Sequence, residues 1–164
     1  MVDHKESAAD SGAMLVGELT DTGHRLEARI YYADTDFSGV VYHARYLEFL
    51  ERGRIEYLRH VGIGHLGRAD GNFAGPLAWI IRRLEVDFRQ PARIDDLVTV
   101  ETSTAKISVV RVLMAQRIRR GADILITATV ECAIVDSSGR PQRFPKLWKE
   151  LFRPQDDWTA ERAW

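Results

Sequence analysis

The segment from Tyr31 to Glu56 reads YYADTDFSGVVYHARYLEFLERGRIE, and it decides the fold because turn-forming residues lead there into the clearest helix of the chain. Apolar side chains recur at intervals of three and four from Tyr46 to Leu58, which is typical of one buried stripe on an α-helix. We therefore predict a helix over about 43–60. Gly53 lies within the stripe, and a glycine costs a helix about 1 kcal/mol relative to alanine. A close approach between this helix and a sheet would explain that glycine.

Strand-like segments lie on both sides of the predicted helix. Residues 24–32 alternate between apolar and polar side chains, which is the period of a strand with one buried face. After Pro76, similar segments follow at about 79–89, 97–106, 109–119 and 124–135, and a short helix is predicted after Pro145. Short turns join these strands, which favours antiparallel pairing. One apolar helix beside an antiparallel sheet of about five strands gives an α+β fold.

Length and composition bound the class of protein. The 164 residues suit a single domain, which we place at 23–153, between an N-terminal tail of small polar residues at 1–22 and a C-terminal tail at 154–164. The net charge is −1, which argues against a protein that coats nucleic acid. No stretch of about 18 apolar residues and no apolar signal core is present, so we expect no membrane span. The single cysteine, Cys132, excludes an internal disulfide and a zinc site of several cysteines, which favours a cytoplasmic protein.

A loop that carries carboxylates precedes the helix. Asp34 and Asp36 lie in this loop, and Tyr42 and His43 lie where the helix begins. The first N–H groups of a helix have no partner within it and carry partial positive charge, so they can stabilise a developing oxyanion. A carboxylate just upstream can attack a carbonyl carbon or activate a water molecule, and this combination suits acyl transfer. An aspartate before a helix is also common as a capping or turn residue, so the spacing alone leaves both interpretations open.

The same segment resembles the signature of a known enzyme family. Its tyrosine pair, D-T-D, G-V-V-Y-H and tyrosine-rich helix with E-R are similar to the pattern of the YbgC-type acyl-CoA thioesterases, in the 4-hydroxybenzoyl-CoA thioesterase branch of the hotdog superfamily. The resemblance continues through VDFRQPAR at 86–93 and covers about 25–149. Arg45 and Gly53 depart from it, since the family often has a small or amide residue and an alanine at these positions. The resemblance implies the hotdog fold, in which an antiparallel sheet wraps a long helix, and a homodimer or homotetramer with active sites at the subunit boundary.

The resemblance also implies a set of site residues. It places the catalytic aspartate on Asp36, the tyrosine that supports it on Tyr32, and the histidine on His43. The implied reaction is hydrolysis of an acyl-CoA thioester to a carboxylic acid and free CoA, with Asp36 as nucleophile or general base and the N–H groups of Tyr42 and His43 as the oxyanion hole. CoA is part of the substrate, so we expect no separate cofactor and no metal. Basic residues should bind the CoA phosphates, and the candidates are Arg82, Arg83, Arg89 and Arg93.

Two other functions fit parts of the sequence. An acyl-thioester dehydratase on the same fold would use a histidine with a glutamate of the helix, for which Glu48 and Glu51 are the candidates. Their spacing to Arg52 and Arg54 favours surface ion pairs instead. A non-catalytic acyl-CoA-binding module would keep the fold without hydrolysing the thioester. Release of free thiol from acyl-CoA distinguishes the hydrolase from both alternatives. Short aliphatic, fatty and aromatic acyl groups are all compatible with the sequence.

Overall fold

In the part of the chain that the structure describes, a six-stranded antiparallel sheet carries one long helix on one face. The structure is a computed structural model and describes residues 16–63 and 77–152. Its elements in chain order are β1 (Glu18–Thr20), β2 (Gly23–Arg29), a 3-10 turn (Tyr32–Asp34), α1 (His43–His60), β3 (Ala78–Phe88), β4 (Leu97–Ile107), β5 (Arg111–Arg120), β6 (Asp123–Val135) and α2 (Lys146–Leu151). The strand order is β1-β2-β4-β5-β6-β3, and every neighbouring pair is antiparallel, which confirms the predicted α+β class. None of the helices in these two ranges combines the length and apolar character that a membrane crossing requires.

The long helix α1 begins and ends at the predicted residues and packs on β2, β4 and β5. Its buried stripe consists of Tyr46, Phe49, Leu50, Gly53, Tyr57 and Leu58, together with Glu56. Gly53 faces β4, where a Cβ atom would lie 2.8 Å from Val100 Cγ1 and 3.0 Å from Thr102 Oγ1. A side chain at this position would press on the sheet, so the predicted close approach is confirmed and explains the glycine.

Aromatic side chains pack around the second helix. Trp148 and Phe152 are fully buried, and Trp148 stacks on Trp79 of β3 with the ring centroids 5.7 Å apart. The helix α2 is the short helix that the sequence predicts after Pro145. This packing anchors the first residues of β3 against α2.

The sheet begins earlier in the chain than the sequence predicts. Residues Glu18–Thr20, which fall in the predicted tail, form β1 and pair with β2. The N–H of Val16 donates to Glu56 Oε2 of α1 at 3.1 Å, which holds the chain before β1 as well. All three residues of β1 are exposed, so no apolar alternation marks this strand. The described sheet therefore has six strands where about five are predicted. The rest of the predicted tails, 1–15 and 154–164, lies outside the described residues.

The first predicted strand is shorter than its sequence pattern. The strand β2 ends at Arg29, and the alternation that continues to Tyr32 falls partly in a 3-10 turn. The backbone of Ile30 closes this end of the sheet, since its N–H donates to the Asp96 carbonyl oxygen at 2.9 Å and its carbonyl oxygen accepts the N–H of Asp95 at 2.9 Å. Beyond that point the chain leaves the sheet and enters the loop before α1.

Candidate active site

Hydrogen bonds hold both ends of the loop between β2 and α1. The Asp34 carboxylate accepts the N–H of Tyr31 at 2.8 Å, and the Asp34 carbonyl oxygen accepts the N–H of Tyr42 at 2.9 Å. The N–H of Val41 donates to the Ala92 carbonyl oxygen at 2.9 Å, which ties the loop to the segment after β3. These hydrogen bonds fix the backbone on both sides of Asp36, the second aspartate of the loop.

Asp36 lies in a tight turn that Ser38 and Gly39 complete. Its Oδ1 accepts the N–H of Ser38 at 2.8 Å and also the hydroxyl of Ser38, and its carbonyl oxygen accepts the N–H of Gly39 at 3.0 Å. Gly39 has a φ angle of +77°, a left-handed conformation that glycine adopts at low cost. The hydroxyl and N–H of Ser38, and to a smaller extent the nearby charge of His43, hold the pKa of Asp36 below its ordinary value. The exposed side chain is thus ionised at neutral pH, the state in which a carboxylate attacks a carbon atom or accepts a proton.

The helix α1 begins beside this turn with His43. The His43 ring is exposed, and its centroid lies 4.3 Å from that of the Tyr42 ring. The N–H of Tyr42, one of the two predicted oxyanion donors, already donates a hydrogen bond to the Asp34 carbonyl oxygen within the loop. The N–H of His43 has no hydrogen-bond acceptor among the residues described. Of the predicted pair, the His43 N–H is the one available to a ligand.

A pocket of about 280 Å³ opens next to the start of α1. It is mostly apolar and is lined by Val41, His43, Tyr46, Phe88, Arg89, Gln90 and Pro91. The Tyr46 hydroxyl accepts the N–H of Ala92 at 2.8 Å, which fixes the ring as one wall of the pocket. Asp36 and Tyr32 are not part of this lining. His43 lines the pocket and is also close enough to Asp36 for its charge to affect the carboxylate.

Of the seven lining residues, the sequence indicated only His43 and Arg89 as site residues. Its apolar stripe predicts Tyr46 as a core residue, and its strand pattern predicts Phe88 as a strand end, with no role for Gln90. The resemblance at 86–93 marked this segment without assigning it a function. The pairing of Val40 with Arg93 brings the segment back to the helix start, and such a long-range pairing has no signature in a single sequence.

Among the described residues, no hydrogen bond joins the Tyr32 side chain to the Asp36 carboxylate. The Tyr32 side chain is 82% exposed, and within the two described ranges its hydroxyl forms no hydrogen bond. The chain leaves the sheet after Arg29, so Tyr32 lies in the 3-10 turn rather than in a strand whose face would aim it at the aspartate. Ser38, and not Tyr32, holds the Asp36 carboxylate here.

The four candidate arginines separate into two pairs. Arg82 and Arg83 lie in the middle of β3, and each forms an ion pair with a glutamate. Arg89 lines the pocket, and Arg93 lies in the segment that pairs with the loop before α1. The structure therefore brings Arg89 to the pocket and Arg93 next to the loop, whereas Arg82 and Arg83 are engaged elsewhere.

The glutamates that a dehydratase would use lie on the exposed side of α1. Glu48 forms an ion pair with Arg45 at 2.6 Å, and Glu51 is exposed. Arg45 also donates to the Ala33 carbonyl oxygen at 3.2 Å, so this departure from the family pattern ties the first turn of α1 to the loop. Within 16–63 and 77–152, no three His, Cys, Asp or Glu side chains converge in a way that could hold a metal ion.

Known proteins are similar to this chain over most of its length. The model of a family described as the thioesterase-like superfamily matches residues 31–157. The acyl-CoA thioesterase YbgC of Haemophilus influenzae is 39% identical over 135 residues, which cover 82% of this chain and 97% of that protein. The acyl-CoA thioester hydrolase YbgC of Escherichia coli O157:H7 is 35% identical over 130 residues, which cover 78% of this chain and 94% of that protein. The solved structure of a probable thioesterase from Bartonella henselae is similar with a TM-score of 0.71 and 46% identity, over 75% of this chain and 99% of that one.

Proposed function

The chain belongs to the thioesterase-like superfamily, and we propose that it hydrolyses the thioester bond of an acyl-CoA to release a carboxylic acid and free CoA. One observation carries the proposal: the ionised carboxylate of Asp36 lies near the start of α1, where His43 lines an apolar pocket. A nucleophile or base, a free N–H donor and a space for an acyl group are what acyl transfer requires.

The Asp36 carboxylate has two routes to the product. As a nucleophile, it attacks the thioester carbonyl carbon, and the C–S bond then breaks to leave an acyl anhydride that water hydrolyses. As a general base, it takes a proton from a water molecule while the water oxygen attacks the same carbon, and the C–S bond then breaks. In both routes the sulfur leaves as a thiolate, and a thiol pKa of about 8.5 makes a strong general acid unnecessary.

The N–H of His43 is the proposed oxyanion donor. The N–H of Tyr42 would first have to give up its 2.9 Å bond to Asp34, so we assign it to the loop framework instead. One such donor typically contributes about 100- to 1000-fold to the rate. The His43 ring lies on the pocket wall, and we assign it the role of orienting the acyl carbonyl towards Asp36.

A second copy of this chain is proposed to complete the site. Tyr32 and Phe37, which are close to Asp36 in the sequence, are large exposed side chains. At the outer strand β3, Ile81 and Phe88 are about half exposed. Clusters of exposed apolar residues commonly mark interfaces, and a homodimer or homotetramer would cover them. Light scattering on the full chain tests this assembly, and a monomeric mass at micromolar concentration would contradict it.

The test of the activity is release of free thiol from a panel of short aliphatic, fatty and aromatic acyl-CoA substrates. We expect turnover of at least one class, with one CoA and one carboxylic acid formed per thioester consumed. Binding of acyl-CoA without thiol release would indicate the binding module instead. Loss or addition of water with the thioester intact would indicate the dehydratase. Either result would contradict the proposed function.

A further inference from the structure

Two turns of the same construction occur in the chain, one at Asp36 and one after β6 at Asp136. In each turn, Oδ1 of the aspartate accepts both the N–H and the hydroxyl of the serine two residues later, and the N···O distances are 2.8 Å and 2.9 Å. The glycine after each serine donates its N–H to the carbonyl oxygen of the aspartate. The φ angles of Gly39 and Gly139 are +77° and +78°. The second turn is therefore an internal reference for the first.

The two aspartates differ in the further hydrogen bonds that their carboxylate oxygens accept. Oδ2 of Asp136 accepts a hydrogen bond from Gln142 Nε2 at 2.8 Å, and its Oδ1 also accepts the N–H of Arg140 at 3.0 Å. Oδ2 of Asp36 accepts no hydrogen bond within the described part of the chain. Asp136 thus uses both oxygens to hold its own loop, whereas Asp36 is held through one oxygen and has the other free.

We propose that Ser38 is a positioning residue that holds Oδ1 of Asp36 so that Oδ2 is presented to the thioester carbonyl or to the attacking water. The inference rests on the proposed function, because it assigns a role within that reaction. Without the Ser38 hydroxyl, one backbone hydrogen bond holds the carboxylate, which then rotates more freely about its Cβ–Cγ bond. Fewer molecules are then aligned for reaction, and alignment contributes directly to the rate.

The Ser38 hydroxyl also stabilises the ionised carboxylate. Its hydrogen bond is the largest of the contributions that lower the pKa of Asp36. The other charged groups around the turn are His43 and Arg45 of α1, Asp34 in the same loop, which pairs with Arg45 at 3.9 Å, and Arg93 in the segment after β3. Removal of the hydroxyl leaves all four groups in place, so a shift in the acidic limb of the rate profile would report the hydroxyl itself.

The experiment measures kcat, KM and the pH profile of thiol release for the full chain and three variants. We expect Ser38→Ala to lower kcat about tenfold, the effect of one lost charge-assisted hydrogen bond, with KM within about twofold of wild type. Its acidic limb should move to higher pH, because the ionised form of Asp36 has lost a donor. Ser38→Thr keeps a hydroxyl and should restore kcat. Ser138→Ala removes the equivalent hydroxyl from the reference turn and should leave kcat and the pH profile unchanged.

Several results would overturn the inference. One is a Ser38→Ala variant that keeps the wild-type kcat and acidic limb, as Ser138→Ala is expected to do. Another is an equal loss of kcat in both variants, which would indicate an effect on stability. A loss in Ser38→Thr as large as that in Ser38→Ala would also exclude the hydroxyl. Thermal melts of all three variants show whether each is folded under assay conditions. Failure of the proposed function is distinct: the wild type releases no thiol, or Asp36→Asn keeps full turnover, and the inference falls with it.

Discussion

Replacement of Gly53 by alanine tests the contact that sets α1 against the sheet. The added Cβ atom would lie 2.8 Å from Val100 Cγ1 and 3.0 Å from Thr102 Oγ1, whereas carbon atoms pack best at about 3.5–4.0 Å. Both neighbours are fully buried in β4, and their β-branched side chains have few alternative rotamers. The helix must therefore move away from the sheet, or β4 must distort.

Three effects determine the size of the change. Alanine favours a helix by about 1 kcal/mol over glycine. Overpacking of a buried contact costs about 1–3 kcal/mol. Movement at this point also disturbs the hydrogen bonds of Gln116 Nε2 to Thr102 Oγ1 and to the Leu50 carbonyl oxygen, both 2.8 Å long and each worth about 1 kcal/mol. The costs exceed the gain, so we expect the free energy of unfolding to fall by about 2 kcal/mol.

Urea unfolding followed by tryptophan fluorescence measures this change as a lower midpoint at an unchanged slope. Glu51→Ala, at an exposed position of the same helix, is the control and should change stability by no more than about 0.5 kcal/mol. In a Val100→Ala background the cost of Gly53→Ala should shrink, because the colliding methyl group is gone. A Gly53→Ala protein at least as stable as wild type would refute the close approach of α1 to β4.

Three further predictions concern acid stability, CoA binding and the cysteine. Burial lowers the pKa of His24, so the folded state favours the neutral ring. Its contribution to the free energy of unfolding is complete above the ordinary pKa of about 6.5 and is lost as the pH falls below that value, by at most about 1.4 kcal/mol per pH unit. Between about pH 7.5 and 5.5 the urea midpoint should fall more for wild type than for His24→Gln, and equal falls would argue against this role. If Arg89, which lines the pocket, binds a CoA phosphate, Arg89→Ala should raise KM for acyl-CoA about tenfold with kcat nearly unchanged. Arg82→Ala, whose partner is Glu131, should leave KM unaltered, and equal effects in the two variants would contradict this role of Arg89. Burial raises the pKa of the Cys132 thiol to about 11, so alkylation of the native protein should wait for unfolding, and rapid native labelling would be inconsistent with this burial.

Regular elements with one buried face could be predicted from the sequence. The apolar stripe of α1 gives its bounds, and the alternation in β6 gives its extent, because burial selects the residue type at each position. The strand β1 could not be predicted in this way, since all its side chains are exposed and show no apolar alternation. Main-chain hydrogen bonds hold it to β2, together with one exposed ion pair between Glu18 and Arg25. A main-chain partner leaves no mark on the choice of side chain.

The candidate site could be predicted less completely. The D-T-D motif and the helix start place Asp36 and His43 on one segment. In the structure His43 is the first residue of α1, and Asp36 lies in a turn of the loop before it. The direction of the Tyr32 side chain depends on where the chain leaves the sheet. The Tyr42 N–H is unavailable as an oxyanion donor because the loop folds so that this N–H donates to the Asp34 carbonyl oxygen. Both are consequences of backbone angles that residue types alone do not determine.

Thiol release by Asp36→Asn tests most directly whether this carboxylate performs the hydrolysis. Asparagine keeps an oxygen that can accept both bonds from Ser38, so the turn is retained while the charge is lost. Asp136→Asn makes the same change in the reference turn and is the matched control. We expect Asp36→Asn to lose about 100- to 10,000-fold in kcat with its unfolding midpoint unchanged, while Asp136→Asn keeps the wild-type kcat. A folded Asp36→Asn protein within about tenfold of the wild-type kcat would contradict the assignment of Asp36 as the catalytic residue.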